Sequence, residues 1–161
     1  ALAPPVRPVH AADDWFELLG GIALEGDAEG DTYGASVQLS ADGRTLAVGA
    51  ASAYSSATDP ESVPGGPGHV RVYWWEPGSG WEHRGRMLNE STPGGFGRKI
   101  ALSEDGLTLA VGSPEYNCES GIGCQGRFQV FRWHDEDNDW VLMGNQTFDG
   151  DLPPTGRLSS F

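Results

Sequence analysis

The sequence predicts an all-β fold made of repeated four-stranded antiparallel meanders, and three observations carry that expectation. The twelve residues LSADGRTLAVGA (39–50) return almost unchanged as LSEDGLTLAVGS (102–113), 63 positions later. Gly and Pro together supply 35 of the 161 residues, a share that suits frequent turns between short strands. Apolar residues alternate over short runs rich in Val, Trp, Tyr and Phe, as they do in strands with one buried face.

Four landmarks recur in fixed order, and each reads as one strand. The first is an aromatic-Gly step opening an alternating run: Tyr33-Gly34 before ASVQLS, Phe96-Gly97 before RKIALS, and a weaker Thr155-Gly156 before RLSSF. The second is Ser-x-Asp-Gly-x-Thr-Leu-Ala-Val-Gly, at Ser40 to Gly49 and Ser103 to Gly112. Its Asp-Gly step suits a tight hairpin turn, because glycine accepts positive φ without steric cost. The third is a Gly-led aromatic strand, GHVRVYWW (68–75) matched by GRFQVFRW (126–133). The fourth begins with Trp and ends with Gly: WFELLG (15–20), WEHRG (81–85) and WVLMG (140–144). EPGSG (76–80) and HDEDND (134–139) join the third strand to the fourth, and equivalent landmarks lie 58 to 66 residues apart.

A four-stranded sheet of this kind is too thin to bury both of its faces alone. Tandem copies solve the problem by stacking, as the blades of a β-propeller do. The chain then divides into an N-terminal segment (1–32) carrying the last strand of a preceding blade (15–24), one blade at 33–88, a second with its linkers at 89–154, and the first strand of a following blade at 155–161. A closed propeller takes at least four blades, roughly 240 residues at this spacing. The ring is therefore incomplete in this chain, which is expected either to be a segment of a longer protein or to close by self-association. A two-sheet sandwich built from the same strands is the compact alternative.

Tyr33-Gly34 and Phe96-Gly97, followed by Val48-Gly49-Ala50 and Val111-Gly112-Ser113-Pro114 and then by Gly68 or Gly126 opening an aromatic strand, resemble the FG-GAP repeats of integrin-α-type propellers. The resemblance spans essentially the whole chain and implies extracellular adhesion or assembly. FG-GAP units often carry a calcium loop of alternating Asp and Asn in the first hairpin, whereas here that loop is only SADG or SEDG, with Asp42 and Asp105. The segment SADGRTLAVGA followed by HVRVYWW also resembles a Trp-Asp repeat, which would imply an intracellular scaffold. Those units run about 40–45 residues, and the Trp-Asp dipeptide is missing after both aromatic strands.

The formal charge of −13 repels phosphate backbones and anionic membrane surfaces, so nucleic acid is a poor partner. No run of about eighteen apolar residues provides a membrane-spanning helix. Cys118 and Cys124 flank a Gly-bearing loop, CESGIGC, that can close a disulfide. The acceptor sequons Asn89-Glu90-Ser91 and Asn145-Gln146-Thr147 point with it to a secreted, cell-surface or lumenal setting.

No catalytic constellation stands out. His10, His69, His83 and His134 lack ligand spacing, and no serine is framed as a nucleophile. A propeller enzyme would need convergent His and carboxylate groups on first-strand ends, which here carry Ala35, Ser36, Arg98 and Lys99. Ca²⁺ is the one cofactor suggested, at Asp135, Asp137 and Asp139 or at Asp27, Glu29 and Asp31, where carboxylates alternate within a turn. Adjacent Trp74 and Trp75 point to opposite faces of their strand and either both pack between neighbouring blades or leave Trp74, which corresponds to Arg132 in the other copy, as a candidate for stacking on a sugar or protein partner. The loops 51–67 and 114–125, with Tyr54 and Tyr116, differ most between copies and are the expected partner surface. Together these readings describe a non-catalytic module that binds further blades, other protein chains or glycans.

Overall fold

The computed structural model describes residues 23–27, 30–51, 67–119, 123–144 and 148–150. The proposed strands at 15–24 and 155–161 lie wholly or almost wholly outside that range. Every strand pairing between elements is antiparallel, and no helix occurs among the described residues.

The strands are β1 (Tyr33–Leu39), β2 (Thr45–Ala50), β3 (His69–Glu76), β4 (Gly80–His83), β5 (Leu88–Asn89), β6 (Lys99–Leu102), β7 (Thr108–Ser113), β8 (Cys118–Glu119), β9 (Gly123–Cys124), β10 (Arg127–His134), β11 (Asp139–Leu142) and β12 (Phe148–Asp149). One sheet runs β1-β2-β3-β4 with β5 also on β3; the other runs β6-β7-β10-β11 with β12 on β10. β8 and β9 form a separate small hairpin. Both larger sheets are open meanders, the second with the β8–β9 hairpin inserted between β7 and β10.

The repeated dodecamer makes the same turn twice. Ser40 Oγ donates to Asp42 Oδ1 at 2.6 Å, that carboxylate also accepts the Arg44 N–H at 3.0 Å, and the Thr45 N–H donates back to Ser40 Oγ at 2.9 Å. Ser103, Asp105, Leu107 and Thr108 repeat the pattern at 2.5, 2.9 and 2.9 Å. Side-chain oxygens thus take up turn amides that no ladder partner reaches. Leu39 consequently faces Leu46, and Leu102 faces Leu109.

The fourth strand differs from expectation, because in each sheet it is broken into two short pieces. β4 ends at His83, and β5 resumes on β3 only at Leu88. Between them Gly85 takes a φ of +77°, which the chain uses to swing Arg84 toward the other sheet. Gly144 takes a φ of +73° between β11 and β12.

The core lies between the sheets. Ala47, Val70, Val72 and Leu88 meet Phe96, Leu109, Val111, Phe131, Trp133 and Trp140. First strands approach most closely, β6 lying against β1 and β2. A Cβ on residue 49 would stand only 2.1 Å from the Gly97 carbonyl oxygen, which also accepts a 2.6 Å hydrogen bond from Ser36 Oγ. Gly97 itself has a φ of +86°.

Arg84 crosses the junction farther out. Its guanidinium lies 4.9 Å from the Trp74 ring and 4.6 Å from the Trp133 ring, and it donates to Thr45 Oγ1 at 2.8 Å. Burial depresses its pKa against the opposing charges of Asp135 and Asp42, and among the described residues no carboxylate is ion-paired with it. The two indole faces supply the electrostatic partner instead.

Glycines 49 and 112 occupy the same position in the repeat but different surroundings, the nearest atoms to a Cβ on residue 112 being those of Lys99 at 3.6 Å. Gly49→Ala is expected to lower unfolding free energy by about 2 kcal/mol through overpacking. Gly112→Ala leaves it unchanged or raises it by up to about 1 kcal/mol. Urea unfolding of the two variants measures the difference, and equal losses would contradict the described contact.

Candidate partner-binding end of the sheets

The loops between second and third strands leave both sheets at one end, where Ala50, His69 and Asn89 form one row and Ser113, Arg127 and Asp149 another. Cys118 and Cys124 pair directly across β8 and β9 and are joined by a disulfide, as their spacing suggested. Asn89 is exposed on the short strand β5. Asn145 and Tyr54 lie outside the described residues.

Tyr116, in the turn after β7, is partly buried under Arg127, whose guanidinium carbon sits 3.5 Å from the ring centroid. Arg127 donates from Nε and Nη2 to the two carboxylate oxygens of Asp149 at 2.6 and 3.1 Å and lies 3.5 Å from Glu90 Oε1. The Asp149 hydrogen bond is the main cause of its raised pKa. Ser113 Oγ donates to the other Glu90 oxygen at 3.2 Å. Beside this knot Arg98 pairs with Glu115 Oε1, while Glu115 Oε2 is buried without a hydrogen-bond partner among the described residues. The arrangement is a charged cluster beside the disulfide hairpin, to which Cys118 Sγ is joined by its contact with the Glu115 carbonyl.

Trp74 is not an open platform. Arg84 covers one face of its partly buried ring, so the expected sugar-stacking surface is already engaged at the sheet junction.

The carboxylates proposed for calcium are divided among separate tasks. Asp135 accepts the Trp133 indole N–H at 2.8 Å, Asp137 pairs with His134 at 3.0 Å, and Asp139 accepts the amides of Arg86 at 2.9 Å and Trp140 at 2.8 Å. Asp31 is buried and accepts the amides of Asp27 and Tyr33, each at 2.9 Å, while Asp27 pairs with Arg71. Glu29 lies outside the described residues. Asp42 and Asp105 serve their own turns, and the serine hydroxyls donated to them hold both carboxyls below the usual range. Among the described residues no three His, Cys, Asp or Glu side chains converge.

Sequence reasoning passed over two clusters. Arg84 carried one faint signal, a cation just before the Gly of the fourth landmark, where the other copy has Met143. The second cluster surrounds His69, which is 4% exposed, has no hydrogen-bond partner at Nε2 among the described residues and stacks on Tyr33 with centroids 6.1 Å apart. Arg71, Asp27, Asp31 and the hydrogen-bonded pair Tyr33–Tyr73 (2.5 Å) complete it. Burial, and then the Arg71 charge, lower the His69 pKa, against the opposing pull of Asp27 and Asp31. Burial is also the main reason the Tyr33 phenol is raised.

Comparison with protein-family models and with curated proteins gives no match.

Because His69 is held neutral in the folded protein, the unfolded chain binds the extra proton near pH 6.5 and the folded one only at lower pH. The contribution from neutral His69 is complete above that pH and is lost as pH falls below it. Chemical unfolding at a series of pH values is expected to show this decline in the wild type and a flatter profile in His69→Gln. An identical slope in both proteins would remove His69 as its source.

Proposed function

We propose that the two sheets are consecutive blades of an FG-GAP-like β-propeller, and that the chain acts as a non-catalytic extracellular module for binding, adhesion or assembly. One comparison carries this reading. The face of the first sheet that the second sheet covers contains Val70 and Leu88, 0% and 3% exposed. Their counterparts by register in the second sheet, Phe128 and Phe148, are 47% and 49% exposed and stack with centroids 4.6 Å apart. Val141 and Met143 extend that exposed face.

The second sheet therefore keeps an apolar surface built like the one its neighbour covers, and Gly112 keeps there the small residue that Gly49 needs. A self-sufficient sandwich would present mainly polar residues outward. A further blade would cover the surface in the same way, which also fits the exposed Val37 and Leu39 on β1 of the first sheet.

The disulfide and the exposed Asn89 sequon support a secreted or cell-surface setting. Stacked sheets would hold the loop end rigid, so a protein or glycan partner would bind there with little loop ordering. Partners of the blade faces are further blades of the same protein or other chains. An intracellular Trp-Asp-like scaffold is the second reading; it retains the sheet pairing but gives the disulfide no role.

Sedimentation velocity over a range of concentrations tests the blade reading. The wild-type chain is expected to self-associate through the exposed face, and Phe128→Ser/Phe148→Ser to stay monomeric with unchanged circular dichroism. A wild type that is monomeric throughout would overturn it.

A further inference from the structure

The junction between the two sheets has two unlike halves. The first sheet contributes Val70, Val72 and Leu88 to the shared core; the second contributes Trp133 and Trp140, with Ile100 and Leu102 of β6 packed against them. By repeat position, the outer face of the first sheet is another copy of that second half. Val37 and Leu39, both exposed, stand where Ile100 and Leu102 stand in the other sheet. Trp75 and Trp81 stand for Trp133 and Trp140, are partly exposed, and keep the same edge-to-face arrangement, with centroids 5.3 Å apart at 66° against 5.7 Å at 67°. The outer face of the second sheet, with Phe128 and Phe148 in the places of Val70 and Leu88, is another copy of the first half. The described sheets thus leave one copy of each half uncovered.

Glycines mark the same division. A Cβ on residue 49 would stand 2.1 Å from the Gly97 carbonyl oxygen, and one on residue 85 would stand 3.0 Å from both Trp133 and Trp140. Their repeat equivalents are open, since a Cβ on residue 144 would have nothing within 4 Å among the described residues and one on residue 112 only Lys99 at 3.6 Å. A φ of +73° accounts for glycine at 144, but residue 112 has no positive φ to account for it. A backbone approaching from outside, as that of Gly97 approaches Gly49, supplies the missing reason.

The contact at the outer edge is also prepared twice. Arg84 and Met143 donate their amides to the Val72 and Val130 carbonyls, each at 2.8 Å, and each is followed by glycine. The Arg84 carbonyl accepts the Trp140 indole N–H at 3.0 Å, and its guanidinium lies between Trp74 and Trp133. In the second sheet Arg132 holds the Trp74 position and Met143 the Arg84 position, and both are exposed. A guanidinium therefore remains available to an indole face, and a thioether packs favourably at a ring edge.

We propose that the outer face of the second sheet docks on the outer face of the first sheet in a second copy of this chain, with Met143–Gly144 seated on that copy's Trp75 and Trp81. The Met143 carbonyl accepts the Trp81 indole N–H, and Arg132 lies against Trp75. The second copy is the occupant because this one chain carries both uncovered halves of a junction it already forms internally. Such a contact is heterologous, joining unlike faces rather than like ones. It rests on the blade reading and adds which surface meets which.

Sedimentation velocity of paired variants tests the pairing. Val37→Glu/Leu39→Glu, at exposed positions, and Trp75→Ala alter the first-sheet face; Met143→Glu alters the second-sheet face. Each alone is expected to stay monomeric at concentrations where the wild type associates, with unchanged circular dichroism. Mixed one to one, Val37→Glu/Leu39→Glu and Met143→Glu bring one intact face each and give a species of twice the monomer mass and nothing larger. Wild-type association by Val37→Glu/Leu39→Glu, or its dimerisation through paired second-sheet faces, overturns the proposal while leaving the blade reading intact. Leu19→Glu, in the corresponding step of the first Trp-to-Gly landmark, is expected to leave association unchanged. Tighter association of that variant would mean that the chain's own Leu19–Gly20 competes for the indoles, and overturns the choice of a second copy. A wild type that stays monomeric removes both the pairing and the reading beneath it.

Discussion

The two sheets share a core only because the Gly97 carbonyl passes where a side chain on residue 49 would stand. That approach brings β6 against β1 and β2, and it lets Phe96, fully buried, reach the aliphatic face of the first sheet. Ser36 fixes the same carbonyl with a hydrogen bond, so the contact is polar at its nearest point and apolar around it. Had either glycine carried a methyl group, the sheets would be pushed apart and the hydrocarbon contacts behind them loosened together.

Farther out, where the sheets leave more room, aromatic rings and a buried cation fill the gap. Arg84 is long enough to span it and planar enough to lie between Trp74 and Trp133. The chain has ten basic residues against 23 acidic ones, and several arginines sit where segments join. Arg71 ties the stretch before β1 to β3, Arg86 reaches Asp139 in the other sheet, and Arg127 gathers Glu90 and Asp149. A surplus of carboxylates ensures that these positions find partners, while the remaining acids keep the exterior solvated.

Much of the architecture was legible because period-two alternation and Asp-Gly turns act locally. The dodecamer marked both hairpins, and the aromatic strands fell at 69–76 and 127–134. The break in the fourth strand was not legible, since WEHRG reads as continuous strand until Arg84 is seen to belong to the other sheet's aromatic pair. The contact of Trp74 with Arg84 was hidden for the same reason, because Arg84 lies on a different strand and spacing along the chain cannot reveal it. Spacing also shows which aspartates are near one another but not which amides and indoles they bond. Asp135, Asp137 and Asp139 are a few residues apart and serve three different groups.

The outward surfaces of the two sheets are chemically unlike. One offers paired indoles with Val37 and Leu39; the other offers stacked phenylalanines and a thioether. Copies related by a twofold axis would set like against like and leave each surface without its complement. The two outward faces, as described, are therefore not interchangeable.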